Sequence, residues 1–157
     1  MYPELRKPGT RGDLMRAAVL GVEELERRLA EEFPEAFHAG SGLAIVDVWH
    51  GGARVRQDDR KNSTRPGGTV SGPVLMQLAD VTMYVAILAS IGWVPLAVTT
   101  NLTINFLKKP PPGVLIGECR LMKVGKRLAV GEVGIRADGE TDLVAHATST
   151  YSLPSRP

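Results

Sequence analysis

PVLMQLADVTMYVAILASI, Pro73 to Ile91, carries one charged side chain, Asp80, in a helix-length run that is apolar on nearly every side. No further charge occurs until Lys108. A helix of this kind is buried all round, in a protein core or in a membrane. Gln77, Asp80, Thr82 and Ser90 within it weigh against the membrane. Beyond Gly92 and Pro95 the period changes. Val98, Leu102, Ile104 and Phe106 alternate with Thr99, Asn101, Thr103 and Asn105, as expected of a strand with these two sets on opposite faces. An aspartate beside so much apolar sequence is costly to bury unless it is paired or used.

Working outward, turn residues separate further strand-like segments. Leu43–Trp49 and Ala53–Gln57 flank a Gly51-Gly52 turn, and a polar loop from Asp58 to Thr69 leads into the apolar helix. Pro110 to Gly113 form a stiff connection, after which Val114–Val124, Leu128–Ala137 and Leu143–Tyr151 read as three strands joined at Gly125-Lys126 and Asp138-Gly139. At the front, Asp13 is placed to cap a helix from Leu14 to about Ala30, with Leu14, Ala18, Leu25 and Leu29 at helical spacing. The RGD triplet at Arg11–Asp13 is read as the start of that helix. The predicted architecture is α+β: a helical extension over residues 1–41, then a domain over 42–157 whose curved antiparallel sheet wraps one central helix.

Composition excludes several classes. With 157 residues and 43% hydrophobic content the chain suits one core-forming domain. A net charge of +2 and 5% aromatic residues give no basis for nucleic-acid binding. Cys119 is the single cysteine and the first residues have no apolar leader, so a cytoplasmic setting is expected. His38, His146, Cys119 and the carboxylates show no metal-ligand spacing, and no dinucleotide or phosphate-loop fingerprint is present. No metal or redox cofactor is expected. His50-Gly51-Gly52 has Asp59 at a suggestive distance, but the residues between them cannot form a buried helix.

Ser71-Gly72-Pro73-Val74-Leu75-Met76-Gln77-Leu78-Ala79-Asp80 resembles the helix entry of hotdog-fold acyl-CoA thioesterases of the phenylacetate-degradation, PaaI-like type, roughly HGGxxxxLAD. Ala97–Leu107, Gly125–Val130 and Leu143–Thr148 are similar to that family's later strands. The resemblance covers about Leu43 to Leu153. It implies a hotdog fold, acyl-CoA hydrolysis, and sites shared between paired subunits, as a homodimer and further a homotetramer. Thr99 matches a family position that often carries a hydroxyl orienting the attacking water. Two departures stand out. Ser71 and Pro73 replace a histidine and a glycine of the motif, and Arg65 stands where many relatives carry an asparagine that helps bind the carbonyl; Asn62, nearby, is a weaker substitute.

The residues also support a physical reading of their own. Ser71 suits the N-cap, Gly72 permits close approach of a ligand, and Pro73 suits the first turn. The helix start presents N–H groups and a positive dipole end to a thioester carbonyl and the oxyanion it becomes. A well-capped helix that binds nothing is the plainer alternative. Asp80 lies about 12 Å farther along, at ~1.5 Å per residue, so one carbonyl reaches both only if they come from different subunits. Pro73, Gln77, Asp80 and Tyr84 share a stripe, expected to form the dimer seam and the site wall. Asp80 would act as general base or as nucleophile. Lys108, Lys109, Lys126 and Arg127 could meet the phosphates of coenzyme A. A non-catalytic acyl-CoA-binding or regulatory module is the alternative function.

Overall fold

A computed structural model describes residues 16–59 and 65–156. In chain order the elements are α1 (Val22–Glu32), β1 (Leu43–Trp49), β2 (Gly52–Gln57), α2 (Gly72–Ile91), β3 (Val98–Phe106), β4 (Leu115–Val124), β5 (Leu128–Ala137) and β6 (Leu143–Ser152). All strand pairs are antiparallel in one six-stranded sheet ordered β1-β2-β4-β5-β6-β3. The sheet is a meander broken by α2, and β3 closes the far edge against β6.

Helix α2 forms because nothing between Val74 and Ile91 breaks it, and it ends at Gly92, whose φ of 100° lies in the left-handed region that favours glycine. Every residue from Val81 to Ser90 is buried. The helix is long and apolar enough to cross a membrane, yet here the sheet wraps it. Its two buried aliphatic hydroxyls are satisfied within the helix: Thr82 donates to the Leu78 carbonyl at 2.6 Å and Ser90 to that of Ala86 at 2.7 Å. Burying Leu75, Leu78, Ile87 and Leu88 stabilises the fold by about 1.5–3 kcal/mol each.

The sheet approaches α2 closely because two of its helix-facing positions lack side chains. A Cβ at Gly117 would lie 2.6 Å from Thr82 Oγ1 and 3.2 Å from Leu78 Cγ, and one at Gly131 would lie 2.7 Å from Met83 Sδ. Gly117→Ala is therefore expected to lower stability by about 1–3 kcal/mol through overpacking. Denaturant unfolding at constant slope checks it; a midpoint equal to that of the wild type would refute the close approach.

The N-terminal helix starts later than its spacing predicts. Residues Arg16–Gly21 are not helical, and α1 begins after Gly21, with Glu23 and Glu24 in the first turn complementing the dipole. Asp13 and Leu14 lie outside the described residues. Ala18 and Leu20 still pack on the core, as parts of an irregular segment whose Val19 N–H donates to the Ala89 carbonyl at 2.7 Å. Leu25 and Leu29 are fully buried as expected. Glu26 joins α1 to β1 by accepting the Ile45 N–H at 2.9 Å.

Candidate active site

Asp80 is held by two hydroxyls on one oxygen. Thr99 donates to Oδ1 at 2.6 Å and Tyr151 donates to the same atom at 2.8 Å, while the Tyr151 hydroxyl also lies 3.1 Å from the Asp80 carbonyl oxygen. Oδ2 meets no donor among the described residues. Thr99 and Tyr151 are cross-strand partners on β3 and β6, which brings both hydroxyls to one point. Burial, with the neighbouring Asp80 charge adding to it, pushes the Tyr151 phenol far above its ordinary value, so it remains a proton donor at any working pH.

Thr99 reaches Asp80 through a β-bulge. The β3–β6 register shifts between Thr99 and Asn101, so Thr99 and Leu102, three residues apart, both face α2. Strict alternation had placed Thr99 on the opposite face, with Asn101 and Thr103. Tyr151 escaped the sequence reading beyond marking a strand end. Its period-two spacing from Ala145 and Ala147 was the available signal for a helix-facing side chain.

A cleft of about 430 Å³ opens beside this carboxylate, with Gln77, Tyr84 and Trp93 on its walls and Phe33 and Ala36 beyond them. Tyr84 stacks on Tyr151 with ring centroids 6.1 Å apart and donates to the Pro95 carbonyl at 2.9 Å. Burial, and after it the charge of Glu32, raises the Tyr84 phenol above its ordinary value. Because both phenols ionise less readily in the folded chain, their contribution to stability is intact below about pH 10 and is lost as pH rises above it. Absorbance titration is expected to show Tyr151 ionising only together with alkaline unfolding and Tyr84 ionising above the ordinary tyrosine range. Reversible ionisation of all three tyrosines of the chain near pH 10 with the fold retained would contradict this burial.

The helix entry lies apart from Asp80. Ser71 sits at the N-cap with extended backbone, but its side chain caps no N–H, contrary to its expected role. Its carbonyl instead accepts the N–H groups of Val74 and Leu75, at 3.2 and 3.4 Å. Pro73 has no N–H, so the Gly72 N–H is the donor left at the helix start, without an acceptor among the described residues. Phe106 packs beside Gly72: its Cζ would lie 3.4 Å from a Cβ there. Within one chain, Asp80 therefore meets the beginning of β3 and Gly72 its end.

The other expected residues scatter. Pro73 and Gln77 are exposed and Tyr84 is buried, and of the stripe only Gln77, Asp80 and Tyr84 line the cleft. Arg65 is exposed in the turn before α2, where its N–H donates to the Thr69 carbonyl. Asn62 lies outside the described residues. Lys126 and Arg127 are exposed in the β4–β5 turn, at the Thr99 end of the sheet, since Leu128 and Val98 both pair with Ser152. Lys108 lies past the other end of β3, its Nζ 3.7 Å from Glu140. No cluster of three or more metal-ligating side chains occurs among the described residues.

One buried helix inside a curved antiparallel sheet, with a carboxylate opening on a cleft, is the hotdog architecture of thioester hydrolases. The comparisons agree. Residues 67–144 match the model of the thioesterase superfamily. A Saccharolobus solfataricus protein named "Putative esterase SSO1253" is 31% identical over 133 residues, 85% of each chain. A Silicibacter sp. TM1040 structure described as a "putative thioesterase" is 40% identical, with a TM-score of 0.79 over 87% of this chain and 94% of that one. The E. coli PaaI protein of the phenylacetic acid degradation operon shares the fold at 21% identity, with a TM-score of 0.72 over 82% of this chain and 90% of that one. The chain belongs to the thioesterase superfamily and is a thioester hydrolase.

Proposed function

We propose that the protein hydrolyses acyl-CoA thioesters at a site completed by a second copy of the chain. The observation that carries the reading is the Asp80 carboxylate, fixed through Oδ1 by Thr99 and Tyr151 with Oδ2 meeting no donor among the described residues. Oδ2 takes a proton from water while the water oxygen bonds to the thioester carbon. The tetrahedral oxyanion rests on the N–H of the partner subunit's Gly72. Collapse breaks the C–S bond, and the leaving thiolate of coenzyme A receives the proton.

Two features support the second copy. β3 is an edge strand of the sheet on which Val98 and Phe106, and just past it Leu107, are each more than half exposed, and Pro73, Met76 and Gln77 are exposed on α2 beside it. Antiparallel pairing of two such edges, centred between Leu102 and Thr103, sets Thr99 opposite the partner's Phe106, the residue that packs on Gly72. The same two-fold brings Asp80 to the partner's Gly72, as the helix spacing requires. Lys126 and Arg127 then flank the composite site together with the partner's Lys108, a cationic mouth suited to the coenzyme A phosphates.

The test is free-thiol release from a panel of acyl-CoAs by purified protein. Release with saturation kinetics is expected, whereas binding without release from any of them would overturn the hydrolytic reading and favour a binding module. Single turnover in isotopically labelled water separates the two roles of Asp80: direct attack by water puts the label in the product acid, whereas an acyl-aspartyl anhydride opened by water at the Asp80 carbon leaves it on Asp80 instead.

A further inference from the structure

The cleft is longer than the chemistry at Asp80 needs, and its far end is built by an element outside the sheet-and-helix core. From Tyr151, which touches Asp80, a ring-to-ring step of 6.1 Å leads to Tyr84 and a second of 6.1 Å leads to Phe33. Phe33 meets Tyr84 edge-on at 89° and is braced behind by Phe37 at 6.2 Å. It is the C-cap of α1, where its N–H donates to the Leu29 carbonyl at 2.8 Å, and Leu29 is fully buried. The ring therefore stands on an anchored helix end. Glu32 lines the cleft beside it.

Among the described residues, the only charged side chains lining this cleft are the carboxylates of Asp80 and Glu32; the Arg28 guanidinium, 5.4 Å from the centroid of the Trp93 ring, is not part of the lining. Phosphates are thus repelled, and the aromatic walls suit the acyl group instead. We infer that the end of α1 reads the tail of that acyl group: Phe33 limits its length, and Glu32 rejects a tail ending in a carboxylate. This rests on the acyl-CoA reading above. The substrate class it defines is a coenzyme A thioester of an uncharged acyl group short enough to stop at the Phe33 ring. A carboxylate at the tail would have to lose water beside a like charge, whereas an apolar tail of the same length would lie against rings.

The test uses straight-chain substrates from butyryl- to lauroyl-CoA, and adipyl-CoA beside hexanoyl-CoA. In the wild type, kcat/KM is expected to rise with length and then fall where the tail meets Phe33. Phe33→Ala moves the fall to longer chains, with a gain of about tenfold for the first chain that the wild type rejects. Phe33→Trp moves it to shorter chains and keeps the test open should the alanine variant fail to fold. Glu32→Gln narrows the preference for hexanoyl- over adipyl-CoA by about tenfold. A length profile shared by the wild type and both Phe33 variants overturns the length limit, and an unchanged hexanoyl/adipyl ratio in Glu32→Gln overturns the charge filter. The same ladder is also measured as affinity in an Asp80→Asn background. Affinities that shift with residue 33 while the wild type cleaves no acyl-CoA would sink the hydrolytic reading and leave the length limit standing. Cleavage with a length profile indifferent to residue 33 would do the reverse.

Discussion

Asp80→Asn is expected to lower acyl-CoA turnover by about a hundred- to ten-thousandfold while leaving the fold in place. Asparagine keeps an acceptor where Oδ1 stands, so Thr99 and Tyr151 retain their partner and the stability change stays within about 1–2 kcal/mol. What disappears is the basic oxygen facing the cleft. Turnover measured beside thermal unfolding separates the two effects. Unchanged turnover would remove Asp80 from the chemistry, whereas lost turnover with lost folding would make it a structural anchor.

The second large effect is expected at Gly72. Proline there removes one N–H and little else: the first helical position tolerates proline, and Ser71 before it is already extended, at ψ 149°. The added Cβ would meet Phe106 at 3.4 Å, an ordinary contact. Loss of the only donor expected at the oxyanion should cost about a hundred- to a thousandfold in turnover. Mixing this variant with Asp80→Asn tests whether the site is shared. If each site draws Asp80 from one subunit and Gly72 from the other, half of the exchanged dimers carry one intact site, and activity recovers to about a quarter of the wild-type rate. Absence of recovery after demonstrated subunit exchange would show that Asp80 and the partner's Gly72 do not serve one site and would overturn the composite site.

The elements themselves were legible in the sequence. β1 and β5 match their expected bounds, and α2 begins one residue before its expected start at Pro73, because turn glycines and a change of period mark those edges sharply. Asp80 was legible too, as the one charge in an apolar run. What escaped was non-local. Tyr151 reaches Asp80 across 71 positions of sequence, and nothing near Tyr151 announces that partner. The face of Thr99 depends on one extra residue in β3, which periodicity alone does not register. The start of α1 differs from expectation because Leu14 and Ala18 fit a helical period, although residues 16–20 are irregular and meet the end of α2 through the Val19 N–H.

Gly117 and Gly131 have a consequence beyond packing. Thr82 with Leu78, and Met83, seat in the two gaps that these glycines leave in the sheet, and Asp80 lies between Leu78 and Thr82 on the same helix. The gaps act as a keyway. They fix the rotation of α2 about its own axis, and with it the direction in which the Asp80 carboxylate points. A methyl group at either position would turn or lift the helix by a fraction of an ångström, a displacement small for the fold and large for a proton transfer. The aim of the Asp80 carboxylate is thus set from underneath, by two residues whose contribution is the absence of a side chain.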